Sequence, residues 1–298
     1  MSELAERRGI LALITAALIA AGAVLAGHEA AAQGLRGLRG GEDPIEIVAD
    51  DGIEWRREEQ LYIAYGNARA TRGEVVIYAD RLEARYRKTE ESDNDIYRLY
   101  AKGNVRIVHR AETAYGDYGF YDVDEAVALL LGNNLRLVSD EGVITAEDTL
   151  EYWDQKQLAV ARGNAVAVRE DKRVKADTLT ATLEENADGD LEFTRVDGYG
   201  NVEMSTAEEY ARADRGVYYI DREFAQFWDN VRLTREDNQL NGAYGEVDLV
   251  TGVNKLLAAP PDQPPENQVK GLILPDNLQE EKEIGEDAVQ DDAPATAD

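Results

Sequence analysis

The sequence has 298 residues, a formal net charge of −28 at pH 7 and no cysteine. The absence of cysteine excludes a disulfide framework and a thiolate metal site. The strong negative charge argues against a nucleic-acid partner, because phosphate binding needs a basic face. No motif in the sequence predicts a bound cofactor.

The N-terminus has the features of a secretory signal peptide, which we place at residues 1–32. Arg7 and Arg8 precede an apolar run over residues 10–26, and a run of alanines ends at Ala32. This order predicts cleavage after Ala32 and export to a bacterial periplasm. An uncleaved membrane anchor is the alternative, although the run is at the short limit for crossing about 30 Å of hydrocarbon.

After a linker over residues 33–44, residues 45–258 have the pattern of β-strands. Apolar and polar residues alternate, as in Val105-Arg106-Ile107 and Val231-Arg232-Leu233. Alternation with period two is typical of half-buried strands. Long helix-period stretches are nearly absent, so the predicted fold class is all-β.

An internal repeat runs through this region. Each copy begins with a Gly-Asn pair, and a small residue, usually followed by an acid, comes thirteen or fourteen positions after the glycine (79 − 66 = 13, 146 − 132 = 14). Gly and Asn tolerate positive φ, so we expect the pairs in tight turns and bulges, and we expect the acids to be solvated. The pairs are Gly66-Asn67, Gly103-Asn104, Gly132-Asn133, Gly163-Asn164 and Gly200-Asn201, with a degenerate copy at Asp229-Asn230, and the small residues are Ala79, Gly116, Ala146, Ala176, Ala213 and Gly242.

The repeat units form a longer duplication. Gly163 follows Gly66 by 97 residues (163 − 66 = 97), and Gly200 follows Gly103 by the same distance. Two related blocks, at about 45–140 and 142–237, are therefore predicted. Repeats of this kind imply a stack in which each unit buries its apolar face against its neighbours.

The tail, residues 259–298, differs in composition from the repeats. It begins with four prolines, which break strands, and ends in an acidic stretch that is almost free of large apolar residues. We expect this tail to be disordered. The run 269–275 is the exception, because its apolar residues are compatible with one last strand.

Catalytic chemistry has little support in the sequence. His109 is the only histidine after the predicted signal peptide, which argues against histidine-based nucleophilic catalysis and histidine-rich metal sites. Paired carboxylates are abundant, but nothing distinguishes one pair from the others. A repetitive calcium site needs dense nonapeptides rich in glycine and aspartate, which are absent. We therefore predict that the protein is not an enzyme and binds no metal.

The repeat units resemble the OstA-like repeat of the LptA/OstA family, which also occurs in the N-terminal domain of LptD. The resemblance covers about residues 45–275. It is carried by the segments YGNARATRGEVVIYADRLEARY from Tyr65, AKGNVRIVHRAETAYGDYGFY from Ala101, ARGNAVAVREDKRVKADTLTA from Ala161 and GYGNVEMSTAEEYARADRGVYY from Gly198.

This resemblance implies a partly open β-jellyroll of two facing antiparallel sheets, with the lipid A acyl chains of lipopolysaccharide held between them. Such proteins stack end to end, and pairing of exposed edge strands supplies the physical reason. The expected function is that of a periplasmic lipopolysaccharide carrier that helps to bridge the inner and outer membranes. Expected partners are lipopolysaccharide, other components of the transport machine, and further copies of the chain in a head-to-tail oligomer.

Two sets of residues are expected to contact the lipid. The inward apolar positions of the repeat match the acyl-chain contacts that the resemblance implies. The net charge of −28 should repel lipid phosphates, so either divalent cations or the Arg-rich first block must offset it. The expected acyl-chain contacts are Ile77, Val105, Ile107, Val174, Val202, Met204, Val231 and Leu233, and the expected phosphate contacts are Arg69, Arg72, Arg81, Arg85 and Arg106.

Two other functions remain open at this point. One is an exported right-handed β-helix enzyme that acts on polysaccharide with an acidic cleft. The unit spacing of 29 to 37 residues (132 − 103 = 29, 103 − 66 = 37) disfavours it, because it exceeds the coil length of such helices. The other is a purely structural envelope repeat protein, which would share the fold and lack the lipid.

Overall fold

The computed structural model describes residues 45–90, 92–109, 112–139, 142–169, 172–185, 191–205, 209–235, 238–248, 250–251, 253–265 and 268–273. The expected signal peptide (1–32), the linker (33–44) and the acidic end of the tail (274–298) lie outside the described residues.

Eighteen β-strands and one short 3-10 turn, Asp154–Lys156, make up the described part of the chain. The last strand lies beyond residue 258, in the run that the sequence marks as compatible with a further strand. The strands are β1 Glu46–Val48, β2 Gly52–Arg56, β3 Leu61–Arg72, β4 Val75–Arg87, β5 Asp95–His109, β6 Glu112–Asp122, β7 Val127–Leu131, β8 Leu135–Val138, β9 Val143–Ala146, β10 Thr149–Trp153, β11 Leu158–Arg169, β12 Lys172–Glu185, β13 Leu191–Ser205, β14 Glu209–Tyr219, β15 Phe224–Arg235, β16 Asn238–Asp248, β17 Val253–Leu257 and β18 Lys270–Leu272.

Successive long strands pair with one another, from β3 to β6 and from β11 to β16. Short strands pair side by side with the end members: β1 and β2 with β3, β7 and β8 with β6, β9 and β10 with β11, and β17 and β18 with β16. The pairs β7–β10 and β8–β9 join the two halves. All of these ladders are antiparallel, so the parallel β-helix alternative is wrong.

Five of the six repeat pairs lie inside long strands, where each forms a bulge, and Gly132-Asn133 instead forms the turn between the short strands β7 and β8. In β3, Gly66 and Asn67 have φ of 76° and 41°, and together they stand opposite the single residue Asp80 of β4. A bulge of two residues against one bends its strand without ending the ladder. The bulges are aligned across neighbouring strands, so the sheet bends along one line, which we call the crease.

The crease divides the sheet into two layers. Layer A contains β2, β7, β10 and β17 with the parts of the long strands that pair with them, and layer B contains β1, β8, β9 and β18 with the remaining parts. Small residues line the inside of the crease, where Ala176 and Ala213 are fully buried. A Cβ on Gly242 would lie 2.8 Å from Leu256 Cγ of layer A, so small residues allow the layers to approach.

A hydrogen bond between side chains spans the outside of the crease at each repeat pair. The amide of the repeat asparagine donates to an acid on a neighbouring strand or, for Asp50 and Glu147, in the link between two short strands. The acids beside the small residues are therefore exposed, as expected, but they are also bonded. The bonds are Asn67 to Asp50 at 2.9 Å, Asn104 to Asp80 at 2.9 Å, Asn133 to Asp117 at 3.0 Å, Asn164 to Glu147 at 2.8 Å, Asn201 to Asp177 at 3.0 Å and Asn230 to Asp214 at 2.7 Å.

Strand register repeats with the sequence period of 97 residues. The pair Leu61 and Arg85 recurs as Leu158 and Thr182, so β3 and β4 are equivalent to β11 and β12. The short strands β1 and β2 are likewise equivalent to β9 and β10. The prediction of an all-β, repeat-built jellyroll of antiparallel strands is confirmed.

Candidate functional site

The interior face of layer B carries a continuous row of side chains, which we call the inner row. Its members are direct cross-strand partners from β1 to β15, so they face the same space between the layers. The inner row consists of Ile47, Ala70, Ile77, Ile107, Ala114, Leu137, Ile144, Ala167, Val174, Met204, Ala211 and Leu233.

All eight expected acyl-chain contacts lie on this face. Five of them, Ile77, Ile107, Val174, Met204 and Leu233, belong to the inner row. The other three lie one row closer to the crease, where Val105 pairs with Gly116, Val202 with Ala213 and Val231 with Gly242.

A cavity of about 260 Å³ separates the two layers in the first block and at the junction of the blocks, and its lining ends at residues of β12 and β13 such as Leu183 and Phe193. Its lining is predominantly apolar. Layer B contributes Ile77 and Ile107, and layer A contributes Leu82, Leu99 and Leu130 from the facing side. The jellyroll is therefore partly open, with its open part in the first block.

The expected acyl-chain contacts divide between this cavity and a closed core. Ile77 and Ile107 line the cavity and are half-buried. Five others, none more than 4% exposed, are buried in core. Val105 belongs to the core cluster of the first block, and the other four belong to that of the second block, against which Leu233 packs. The five are Val105, Val174, Val202, Met204 and Val231. Contact between any of these eight residues and a lipid stays a prediction.

Side-chain size explains why the second block is closed. At equivalent positions 97 residues apart, Leu130 is replaced by Phe227, which is 2% exposed and belongs to the core. Phe193, the equivalent of Ile96, is 6% exposed and lines the second-block end of the same cavity. The same backbone therefore encloses space where its interior residues are small and fills it where they are large.

Sequence reasoning missed the layer A wall of the cavity. Leu82, Leu99 and Leu150 line it. The acyl-chain contacts expected from the sequence all lie on the inner face of layer B. Pleat alternation was the available signal, because Leu82 and Ala84 share one face of β4 just as Ile77 and Ala79 do. The bend at the crease brings these two halves of one strand face to face.

Polar side chains line the cavity at the edge of layer B that lies away from the crease. Arg72, Val75, His109 and Glu112 are successive partners across β3, β4, β5 and β6. His109 and Glu112 are 7% and 6% exposed, and His109 Nε2 lies 3.7 Å from a carboxylate oxygen of Glu74. This polar rim borders the apolar lining and suits an amphiphile better than a wholly apolar ligand.

The five expected phosphate contacts are not brought together. Arg72 lines the cavity at the polar rim. Arg69 and Arg106 alternate with inward residues and lie on the outer face of layer B, where Arg106 stacks on Tyr78 at 3.9 Å. Arg81 and Arg85 lie on the outer face of layer A, and Arg81 bonds Glu83 at 2.8 Å. Alternation places Arg69 and Arg106 outward. Counted from Ile77, however, it would place Arg81 and Arg85 inward. Their outward position depends on the change of face at the crease, where Leu82 replaces them in the lining.

Two largely buried carboxylates in layer A are held ionised by basic neighbours. Burial alone would raise the pKa of Glu83, but the hydrogen bond and charge of Lys102, with those of Arg81, lower it. Burial likewise opposes the lowered pKa of Glu151, which accepts hydrogen bonds from Arg162 at 2.7 Å, Thr149 at 2.7 Å and Trp153 at 2.8 Å. Both carboxylates are therefore ion-paired members of layer A.

The two ends of the sheet carry strands with a partner on one side, as far as the described residues go. At one end β1 and β2 pair with β3, and at the other end β17 and β18 pair with β16. Exposed apolar residues lie on both, including Ile53 at 52% and Leu272 at 59%. Unpaired edges of this kind can accept a further strand from another chain.

Within the described ranges, no three His, Cys, Asp or Glu side chains are grouped as a metal ion would need. The same part of the chain has no helix that is long and apolar enough to cross a membrane.

Comparison with known proteins identifies the family. The family model for LptA/(LptD N-terminal domain) LPS transport protein matches residues 46–149 and 143–253. The two matches start 97 residues apart (143 − 46 = 97), as the two blocks do. No curated protein matches the chain.

Among solved structures, the chain is similar to LptH, the LptA homologous periplasmic component of the conserved lipopolysaccharide transport device from Pseudomonas aeruginosa. The identity is 11% and the TM-score 0.21, over 78% of this chain and 97% of that chain. This TM-score is too low for any statement about shared geometry. The family match spans most of the described strands, and the chain belongs to the LptA/LptD N-terminal domain family of lipopolysaccharide transport proteins.

Proposed function

We propose that this protein is a non-enzymatic carrier that holds the lipid A acyl chains of lipopolysaccharide in the cavity between layers A and B. The observation that carries the proposal is the apolar cavity in the first block, with Ile77 and Ile107 on one wall and Leu99 on the other. Burial of acyl chains contributes about 0.8 kcal/mol per methylene group. Binding of this kind needs no catalytic group. Directional movement of the lipid needs energy from another component of the transport system.

The proposed orientation places acyl chains inside the cavity and the phosphorylated sugars at the polar rim. Arg72 is the basic member of this rim and the best candidate for a phosphate contact. Arg69, Arg81, Arg85 and Arg106 lie on outer faces, so a phosphate contact by them would require the headgroup to lie outside the cavity. The acyl-chain role of the buried residues, such as Met204, would require the second block to open.

The proposed setting is the periplasm, reached by means of the signal peptide at residues 1–32. There the protein would help to bridge the inner and outer membranes. Its partners would be other transport components that pair with β1 and β2 at one end or β17 and β18 at the other. A head-to-tail oligomer would use the same two edges, since both have a free side within the described residues.

Native mass spectrometry of the full chain with added lipopolysaccharide tests the proposal. We expect a bound species with the mass of the lipid, and we expect Ile107→Glu to abolish it, because a charge in the apolar lining is costly. Val168→Glu is the matched control, since Val168 lies on an outer face and is 36% exposed. A folded protein that never binds lipid would instead favour a purely structural repeat protein.

A further inference from the structure

The outer face of layer B carries a row of basic side chains that runs across the whole sheet. We call it the basic row. Its members are cross-strand partners, so they lie in one line from β18 to β3. In order they are Lys270, Asn241, Arg232, Arg212, Glu203, Lys175, Val166, Thr145, Arg136, Tyr115, Arg106, Tyr78 and Arg69.

The basic row has one acid of its own, Glu203, which is the cross-strand partner of Arg212 and Lys175. The exposed acids of the crease, such as Asp80 and Asp177, lie two residues along the strands from the row. Among the described residues, no carboxylate lies within ion-pair distance of Arg69, Arg106, Arg136, Arg212 or Arg232. Arg106 and Arg136 instead stack on Tyr78 and Tyr115, both at 3.9 Å. Stacking leaves the edges of each guanidinium able to donate hydrogen bonds to a carboxylate.

We propose that the occupant of the basic row is the chain's own acidic C-terminal segment, residues 274–298. This segment contains nine acids and one lysine. It follows directly after β18, whose Lys270 is the first member of the row. The proposal concerns the outer face and does not depend on the lipid-carrier function.

The segment is long enough for this path. The row crosses thirteen strands, which at about 4.8 Å per step spans about 58 Å. The 25 residues after Ile273 (298 − 273 = 25) reach up to about 83 Å when extended. The extended segment is therefore longer than the row.

The first acids of the segment can reach the nearest bases of the row. Arg232, Arg212 and Lys175 lie two, three and five steps from Lys270, which is about 10, 14 and 24 Å. Glu280 and Glu283 follow Lys270 by 10 and 13 residues (280 − 270 = 10, 283 − 270 = 13) and reach up to about 33 and 43 Å in an extended chain. Several weak ion pairs on one tethered segment act together, because tethering gives a high effective concentration.

Spin-label distances in the full chain test this proposal, and the lack of native cysteine makes each label unique. One label replaces Ala288 in the segment, and the second replaces Thr145 in the basic row. The control pair combines Ala288 with Thr178, which lies on the outer face of layer A because its neighbour Leu179 is in the core. We expect a short, narrow distance to Thr145 and a longer, broad one to Thr178.

Charge variants identify the contact. E280Q/E283Q/E286Q and K175Q/R212Q/R232Q should each abolish the short distance, as should 1 M salt, which reduces the screening length to about 3 Å. Replacement of the exposed, off-row residues Arg57, Lys156 and Arg222 by Gln should preserve it. Equal, broad distances to both sites would overturn the proposal. A short distance found only between differently labelled chains, and lost on dilution, would also overturn it, since the occupant would be a second copy.

Discussion

Asn104 donates a hydrogen bond from its side-chain amide to the carboxylate of Asp80 at 2.9 Å, and Asn201 makes the same bond to Asp177 at 3.0 Å. The two bonds occupy equivalent positions in the two blocks, 97 residues apart. Each joins neighbouring strands on the outside of the crease. The bend that creates two layers is thus fixed by a local unit that the sequence repeats.

Two substitutions at the crease should separate the contribution of the bulge backbone to stability from that of this hydrogen bond. Gly200 has φ of 72°, and a Cβ there would overlap the carboxylate of Asp177. We expect Gly200→Ala to lower the free energy of unfolding by about 1–3 kcal/mol. Asn201→Gly keeps the positive φ and loses only the exposed bond, so its cost should be about 1 kcal/mol or less. Urea denaturation measures both, and equal losses would contradict a special role for the bulge backbone.

Filling the cavity should weaken lipid binding without unfolding the protein. Ile96→Phe and Leu130→Phe introduce the residues that the second block carries as Phe193 and Phe227. We expect the double variant to lose lipopolysaccharide binding in native mass spectrometry while its thermal midpoint stays equal or rises, because the added rings occupy empty space. The reverse change, Phe227→Leu, should lower the midpoint, as large-to-small core changes do. Undiminished lipid binding in the filled variant would place the lipid elsewhere.

Glu151 should make the stability of the protein depend on pH in the acidic range. Its pKa is lowered in the folded state, so its contribution is present above the unfolded value of about 4.3 and is lost as the pH falls through the lower folded value. Glu151→Gln removes this titration. We expect the unfolding free energy of the unchanged protein to fall more steeply below pH 4.3 than that of the variant. Parallel pH profiles would mean that Glu151 is not held ionised by Arg162.

A charge on the exposed edge should reduce self-association. Val48 lies on β1, which is paired on one side within the described residues, and it is 43% exposed. A lysine on an edge strand disfavours pairing with another chain. We expect Val48→Lys to shift sedimentation profiles towards the monomer while the circular dichroism spectrum stays unchanged. Val168→Lys, inside the sheet on β11, is the control, and equal profiles for both variants would argue against assembly through this edge.

The strands, the bulges at the repeat pairs and the duplication could be predicted from the sequence. These features depend on local chemistry, since positive φ at a Gly-Asn pair and period-two alternation need no knowledge of distant residues. The positions of Gly66 and Gly163, and the outward direction of Arg106 between Val105 and Ile107, follow from the same local rules.

The tertiary structure alone decided where space remains inside the fold. Ile107 and Met204 occupy equivalent positions on the inner row, yet Ile107 lines a cavity and Met204 is 4% exposed in closed core. The difference depends on the residues of layer A that each meets across the bend, with leucine in one block and phenylalanine in the other. Such contacts join residues far apart in the chain, and their combined side-chain volume, which no local pattern encodes, determines whether the layers close.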